Sequence, residues 1–200
     1  MSRPTAIVIR RGAEESVRRG HPWIWREAIV KGVAKTGESV QIQSEAGQTI
    51  GSGLYDASSP IAVRVWSLGE RAEPLAPNLF NKRIHRAFEK RATLFADGKT
   101  NAYRLLNGEG DRCPGFVIDR YADAAVLRLD GEAVEARASE FLPGLENALK
   151  TIGINTLLLR GRKKEAEVLF GEMPSKAIEV REHGVPFWAD VKDGQKTGAF

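Results

Sequence analysis

The apolar positions of the first third of the chain come in short alternating runs. Residues 5–11 alternate and are rich in Ile and Val, which predicts a strand, and Gly12 then opens a polar stretch through Arg19 that reads as one or two helical turns ended by Gly20. The segment His21-Pro-Trp-Ile-Trp-Arg26 sets two tryptophans two residues apart, on one face if extended, and at least one of them is expected in the core. Further strands are predicted over 38–44, 48–55 and 61–67, separated by turn chemistry at Ala46-Gly47 and Asp56-Ala-Ser-Ser-Pro60. Gly51 and Gly53 inside one of these runs fit sharp bends. Short strands at close spacing with one small helix predict a compact β-barrel-like module.

The pattern then changes. Gly69, Pro74 and Pro77 mark residues 68–77 as a linker, and Asn78 is the expected cap of a long helix ending at Gly98. Phe80, Ile84, Ala87, Phe88, Leu94 and Phe95 form its apolar stripe, and Lys82, Arg86 and Lys90 recur every four residues on another face. Beyond it the period alternates between strand and helix. Strands are expected at 102–106, 116–119, 124–129 and 156–160, with a helix over 133–150 that Pro143 kinks or splits. Runs 163–170, 176–182 and 185–191 alternate like one antiparallel set. The fold class expected is α+β: a barrel over 1–73, a linker and basic amphipathic helix over 74–99, and a central α+β domain over 100–190.

Composition narrows the class without naming a function. The 200 residues are 42% hydrophobic and 28% charged, ordinary values for a folded soluble chain and enough for about two domains. No run approaches the apolar length of a membrane span, and the N-terminus lacks a signal-peptide core, so the expected location is cytoplasmic. Cys113 is the single cysteine, so neither an internal disulfide nor a cysteine zinc site can form, and no metal is expected. The formal net charge of +4 is uneven. Residues 78–99 hold six Lys/Arg against two Asp/Glu, whereas residues 100–200 hold fourteen against sixteen. An RNA backbone and a merely solvated basic surface both account for that excess.

Three motifs carry a resemblance. Gly20-His-Pro-Trp-Ile-Trp25, with Gly51-Ser-Gly-Leu-Tyr55 and Ser59-Pro-Ile-Ala-Val-Arg64, resembles the PUA domain of bacterial class I S-adenosylmethionine-dependent 23S ribosomal RNA methyltransferases, the 5-methylcytosine group and its relatives. Arg104-Leu-Leu-Asn-Gly-Glu-Gly-Asp111 followed by Pro114-Gly-Phe-Val-Ile-Asp-Arg-Tyr121 resembles that family's R-L-V-N-x-E-x-D-x-x-P-G-x-x-x-D-R-[YF] signature. Gly194-Gln-Lys-Thr-Gly198 resembles its G-[QH]-K-T-G segment, which leads into a Rossmann-like methyltransferase domain. The family's continuation, L-D-Q-R, a glycine-rich loop and a cysteine that attacks cytosine C6, is not found after Phe200. The expectation is therefore the front of such an enzyme, with residues 191–200 starting a methyltransferase domain that is cut off.

The resemblance implies ribosomal RNA as partner, S-adenosylmethionine as the parent's cofactor, and room for a homodimeric parent. Arg11, Arg18, Arg19, His21 and Trp23 fall on the face that PUA modules present to RNA, and Lys82, Arg86 and Lys90 are either an RNA stripe or a solvated helix face. Gln195, Lys196, Thr197 and Phe200 match the segment against the cofactor pocket, by direct contact or by setting the backbone. No catalytic residue is expected in these 200. Cys113 has no adjacent general base, and Glu109 and Asp111 in their glycine-rich turn are expected to serve the local backbone. The competing readings are an RNA-binding adaptor without catalysis and a scaffold whose basic faces are only solvated.

Overall fold

The computed structural model describes residues 4–161 and 166–192. Its first unit is a six-stranded sheet built from β1 (Ala6–Ile9), β2 (Trp23–Trp25), β3 (Ile29–Lys31), β4 (Ser39–Ser44), β5 (Thr49–Tyr55) and β6 (Ile61–Leu68), with α1 (Arg11–Arg18) after the first strand. The spatial order is β2-β6-β5-β4-β1-β3, with β1 and β4 parallel. The outer strands β2 and β3 are joined by a single 3-10 turn, Arg26–Ala28. Three residues of 3-10 helix advance only about 6 Å, so the two edges are drawn together and the sheet closes on itself. Ile7, Ile9, Val40, Ile42, Ile50 and Val63 fill the interior with Val17 of α1. Gly53 is required where β5 crosses β6: a Cβ there would strike Val63 Cγ1 and lie 2.7 Å from the Arg64 carbonyl oxygen.

The strand β3 has no counterpart in the sequence reading, because only Ile29 of its three residues turns toward the core. The tryptophans of β2 are a correction. Ile24, paired with Val63, takes the barrel core at 1% exposure, while Trp23 and Trp25 project outward and Trp25 is 42% exposed. Register decides this, since a strand of period two gives the interior to one set of positions only.

The helix α2 (Pro77–Leu94) begins two residues earlier than expected and ends at Leu94, short of Gly98, with Ala76 as cap and Pro77 in the first turn, where a missing N–H costs nothing. Its buried stripe is Phe80, Ile84, Ala87 and Phe88. Leu94 is 73% exposed and lies outside that stripe, whereas Phe95 stacks on Tyr103 at 4.1 Å.

The second unit is a five-stranded sheet, order β11-β10-β9-β8-β7, of β7 (Ala102–Asn107), β8 (Phe116–Tyr121), β9 (Ala124–Leu129), β10 (Thr156–Arg160) and β11 (Ala166–Phe170). The parallel β9–β10 pair is bridged by α3 (Glu132–Glu135), a 3-10 turn and α4 (Leu142–Thr151), so the helix expected around Pro143 is split. Phe80, Phe116 and Phe141 meet at ring distances of 4.7 to 5.7 Å in the core beneath α2 and α4. The opposite face of the sheet is covered by the hairpin β12 (Ile178–Glu182) and β13 (Val185–Ala189), through Val180, Ala189 and Val191. The last three runs are thus not one antiparallel set. β11 joins β10, and β12–β13 form their own ladder.

The strands β5 and β6 connect the two units by splitting their side chains. Tyr55, Val63 and Val65 point into the barrel, and Leu54 and Trp66 enter the core built under α2. The architecture is mixed α+β.

Candidate nucleic-acid interface

The junction between barrel and central unit is held by charge. Arg64, inside the apolar run Ile61 to Trp66 of β6, is 6% exposed. Its guanidinium donates to Glu109 Oε1 at 2.8 Å and to Asp130 Oδ2 at 2.8 Å, and Trp23 Nε1 donates to the same Glu109 oxygen at 2.8 Å. Glu109 therefore ties two barrel strands to the glycine-rich turn, a role that neighbouring sequence could not reveal. Asp111 does what such a turn predicts, accepting the Asn107 N–H, and also takes a bidentate bond from Arg91 at 2.7 and 2.8 Å. Asp56 completes the seam. It is 4% exposed, and although burial pushes its carboxyl up, the N–H groups of Ser59, Ser58 and Ala133 outweigh this and hold it below the ordinary value.

Cys113 lies within this turn at 0% exposure, and burial first of all, with Asp111 adding to it, pushes its thiol up to about 12 against the opposing Arg83 charge. A thiol so held is a packing group, not a thiolate.

The predicted basic residues divide into two sets. Arg11 and Arg18 are exposed but paired along α1, to Glu15 at 3.4 Å and Glu14 at 2.9 Å. Arg19 and His21 are exposed at the exit of that helix. Lys82, Arg86 and Lys90 are exposed on the outer face of α2. Arg83 and Arg91, next to them in sequence, are instead internal: Arg83 sits over the Trp66 ring at 5.4 Å and donates to the carbonyl oxygens of Trp66 and Arg112. Periodicity separates the two sets of cations on α2 but cannot say which carbonyls or carboxylates await one of them.

A cleft of about 690 Å³ opens at the seam. It is lined by Gly20 to Pro22 at the α1 exit, Trp66 of β6, Arg71, Leu79 and Arg83 of α2, and Glu109, Arg112 and Pro114 of the glycine-rich turn and its exit. Of the residues predicted to face RNA, His21 alone lines this cleft, while Arg11, Arg18, Arg19, Trp23, Lys82, Arg86 and Lys90 lie outside it. Gln195, Lys196, Thr197 and Phe200 lie outside the described residues. Among the described residues no three His, Cys, Asp or Glu side chains group as metal ligands, and no described helix is long and apolar enough to cross a membrane.

Residues 7–68 match the PUA-like domain family. The N-terminal barrel is a PUA-like domain. Over 202 residues the chain is 32% identical to ribosomal RNA large subunit methyltransferase I of Klebsiella pneumoniae, covering 97% of this chain and 50% of that protein. The Vibrio cholerae protein of the same name is 33% identical over 203 residues, 98% and 51%. The chain thus spans about half the length of these relatives. A Streptococcus mutans protein provisionally named a SAM-dependent methyltransferase superposes with a TM-score of 0.82 at 19% identity, over 94% of this chain and 49% of that one. A structure provisionally named a methyltransferase, complexed with SAH, gives 0.82 over 95% and 49%. At that identity the likeness establishes the fold of the PUA-like domain joined to the central unit, and no more.

Proposed function

We propose that these residues are the RNA-docking and central part of an S-adenosylmethionine-dependent ribosomal RNA methyltransferase that acts in the cytoplasm on a cytosine of 23S ribosomal RNA. The observation that carries the reading is identity of 32 to 33% along 97 to 98% of this chain, across both units, to two ribosomal RNA large subunit methyltransferases. The PUA-like domain and the outer face of α2 present the cations that hold RNA, and the Arg64–Glu109 contact fixes their mutual orientation. S-adenosylmethionine supplies a methyl group activated on a sulfonium. Attack on cytosine C6 calls for a thiolate, which the buried, high-pKa Cys113 does not provide. Methyl transfer accordingly belongs to the half of the relatives that this chain does not span, and the 200 residues by themselves are inactive.

Binding of a 23S ribosomal RNA fragment measured across salt concentrations tests this. Changing Lys82, Arg86 and Lys90 together to Ala lowers the slope of log K against log salt by about 2, at roughly 0.7 to 0.9 per lost phosphate contact. Changing Arg18 and Arg19 to Ala lowers it by a smaller amount, because Arg18 is already paired. Labelled S-adenosylmethionine gives no methyl transfer with this chain. Unaltered salt slopes in both variants remove the docking assignment, and turnover by the 200 residues removes the assignment of chemistry to another region.

A further inference from the structure

We propose that the cleft at the seam receives an unpaired nucleotide of the RNA, so that the docking surface reads a single-stranded segment instead of a double helix. This rests on the RNA role proposed above and specifies the form of RNA it takes.

The first reason is shape. A concavity of about 690 Å³ lined by the α1 exit, α2 and the glycine-rich turn has room for one or two nucleotides and not for a duplex. The second is charge. Arg71, Arg83 and Arg112 line it against Glu73 and Glu109, and Glu109 is already engaged by Arg64 and Trp23. Arg71 and Arg112 are exposed, and among the described residues neither guanidinium has a carboxylate partner. Arg112 is moreover held at φ 59°, in the left-handed region where an arginine is disfavoured. The strain places a cationic side chain where glycine or asparagine would suit the turn better. The third is the wall itself. Trp66 lines the cleft at 3% exposure, and its indole N–H is bonded to no acceptor of the protein, which leaves it able to donate to a bound group. The fourth is the approach. His21, Trp23 and Trp25 form a row along β2 with ring centroids 6.1 and 6.3 Å apart, and His21 is also part of the cleft wall. His21 and Trp25 are exposed and Trp23 is half-buried, and aromatic rings leading into a cationic groove are how unpaired bases are held irrespective of sequence.

The test uses this chain with three probes: an unpaired RNA oligonucleotide, the same strand annealed into a duplex, and inorganic phosphate. The Arg71→Ala, Arg112→Gly double variant, whose glycine suits the left-handed turn and so preserves the fold, weakens the unpaired strand about tenfold and the duplex less than twofold. The indole N–H resonance of Trp66 shifts with the unpaired strand and stays in place with phosphate or duplex. Unchanged affinity of the double variant for the unpaired strand overturns the proposal, as does an equal Trp66 shift with phosphate, which makes the cleft a general anion site. If binding falls with Lys82, Arg86 and Lys90 changed but not with the cleft variant, RNA docking stands and the cleft does not. Absence of RNA binding by the unaltered chain removes both.

Discussion

Replacing Arg64 with Ala tests whether the seam is held by its guanidinium. The side chain is 7% exposed and has two carboxylate partners, Glu109 at 28% and Asp130 at 71% exposure. Asp130 is so well hydrated that its pairing adds about 0.5 kcal/mol or less. The Glu109 bond is charge-assisted and half-buried, worth about 1.5–3 kcal/mol, and packing of the arginine stem adds on the order of 0.5 kcal/mol. The total is about 2–4 kcal/mol, which for a chain of this size lowers Tm by roughly 5–12 °C. Urea unfolding followed by tryptophan fluorescence measures it. A cycle with Glu109→Gln, which keeps an acceptor for Trp23 Nε1, isolates a coupling of about 1–2 kcal/mol. A loss below about 0.5 kcal/mol for Arg64→Ala, or zero coupling in the cycle, refutes the account, and the two units would then be held by apolar contact and the remaining hydrogen bonds of the seam.

Two further outcomes follow from groups at the same seam. Cys113, buried and with its thiol pushed up to about 12, reacts with iodoacetamide at neutral pH on the order of a thousandfold more slowly in the folded chain than in urea, as mass spectrometry of timed samples would read. Asp56 has a folded pKa below its ordinary 3.8, so its contribution is complete above that value and is lost as pH falls through the depressed one. Asp56→Asn accordingly costs about 1–3 kcal/mol at pH 7 and flattens the fall in stability below about pH 4, measured by urea unfolding at several pH values. Equal acid sensitivity of variant and parent would show that other carboxylates govern that region.

Much of this architecture is legible in the residues because local pattern and global burial agree. The stripe of Phe80, Ile84, Ala87 and Phe88 announces α2, and the alternation of Ile7, Ile9, Val40 and Ile42 announces the barrel strands. What escapes is whatever depends on a distant partner. Trp23 and Trp25 resemble core residues by size, yet pairing of Ile24 with Val63 gives the interior to Ile24. Arg83 and Arg91 belong to a basic run in the sequence and to the interior in the fold, because carbonyls and a carboxylate from the glycine-rich turn meet them. Arg71, Arg112 and Trp66 share a cleft although Trp66 and Arg112 are 46 positions apart, and no local signal joins them. A single charged residue inside the apolar run Ile61 to Val65 was the available sign that Arg64 has a partner elsewhere.

The division of β6 between two cores limits how the chain can vary. A strand with one wet face can exchange every second residue freely, but from Val63 to Trp66 successive side chains answer alternately to the barrel and to the neighbouring unit. No position in that stretch is spare. Mutational drift is therefore expected to collect in the turns on either side, while β6 changes only in concert with residues from both units.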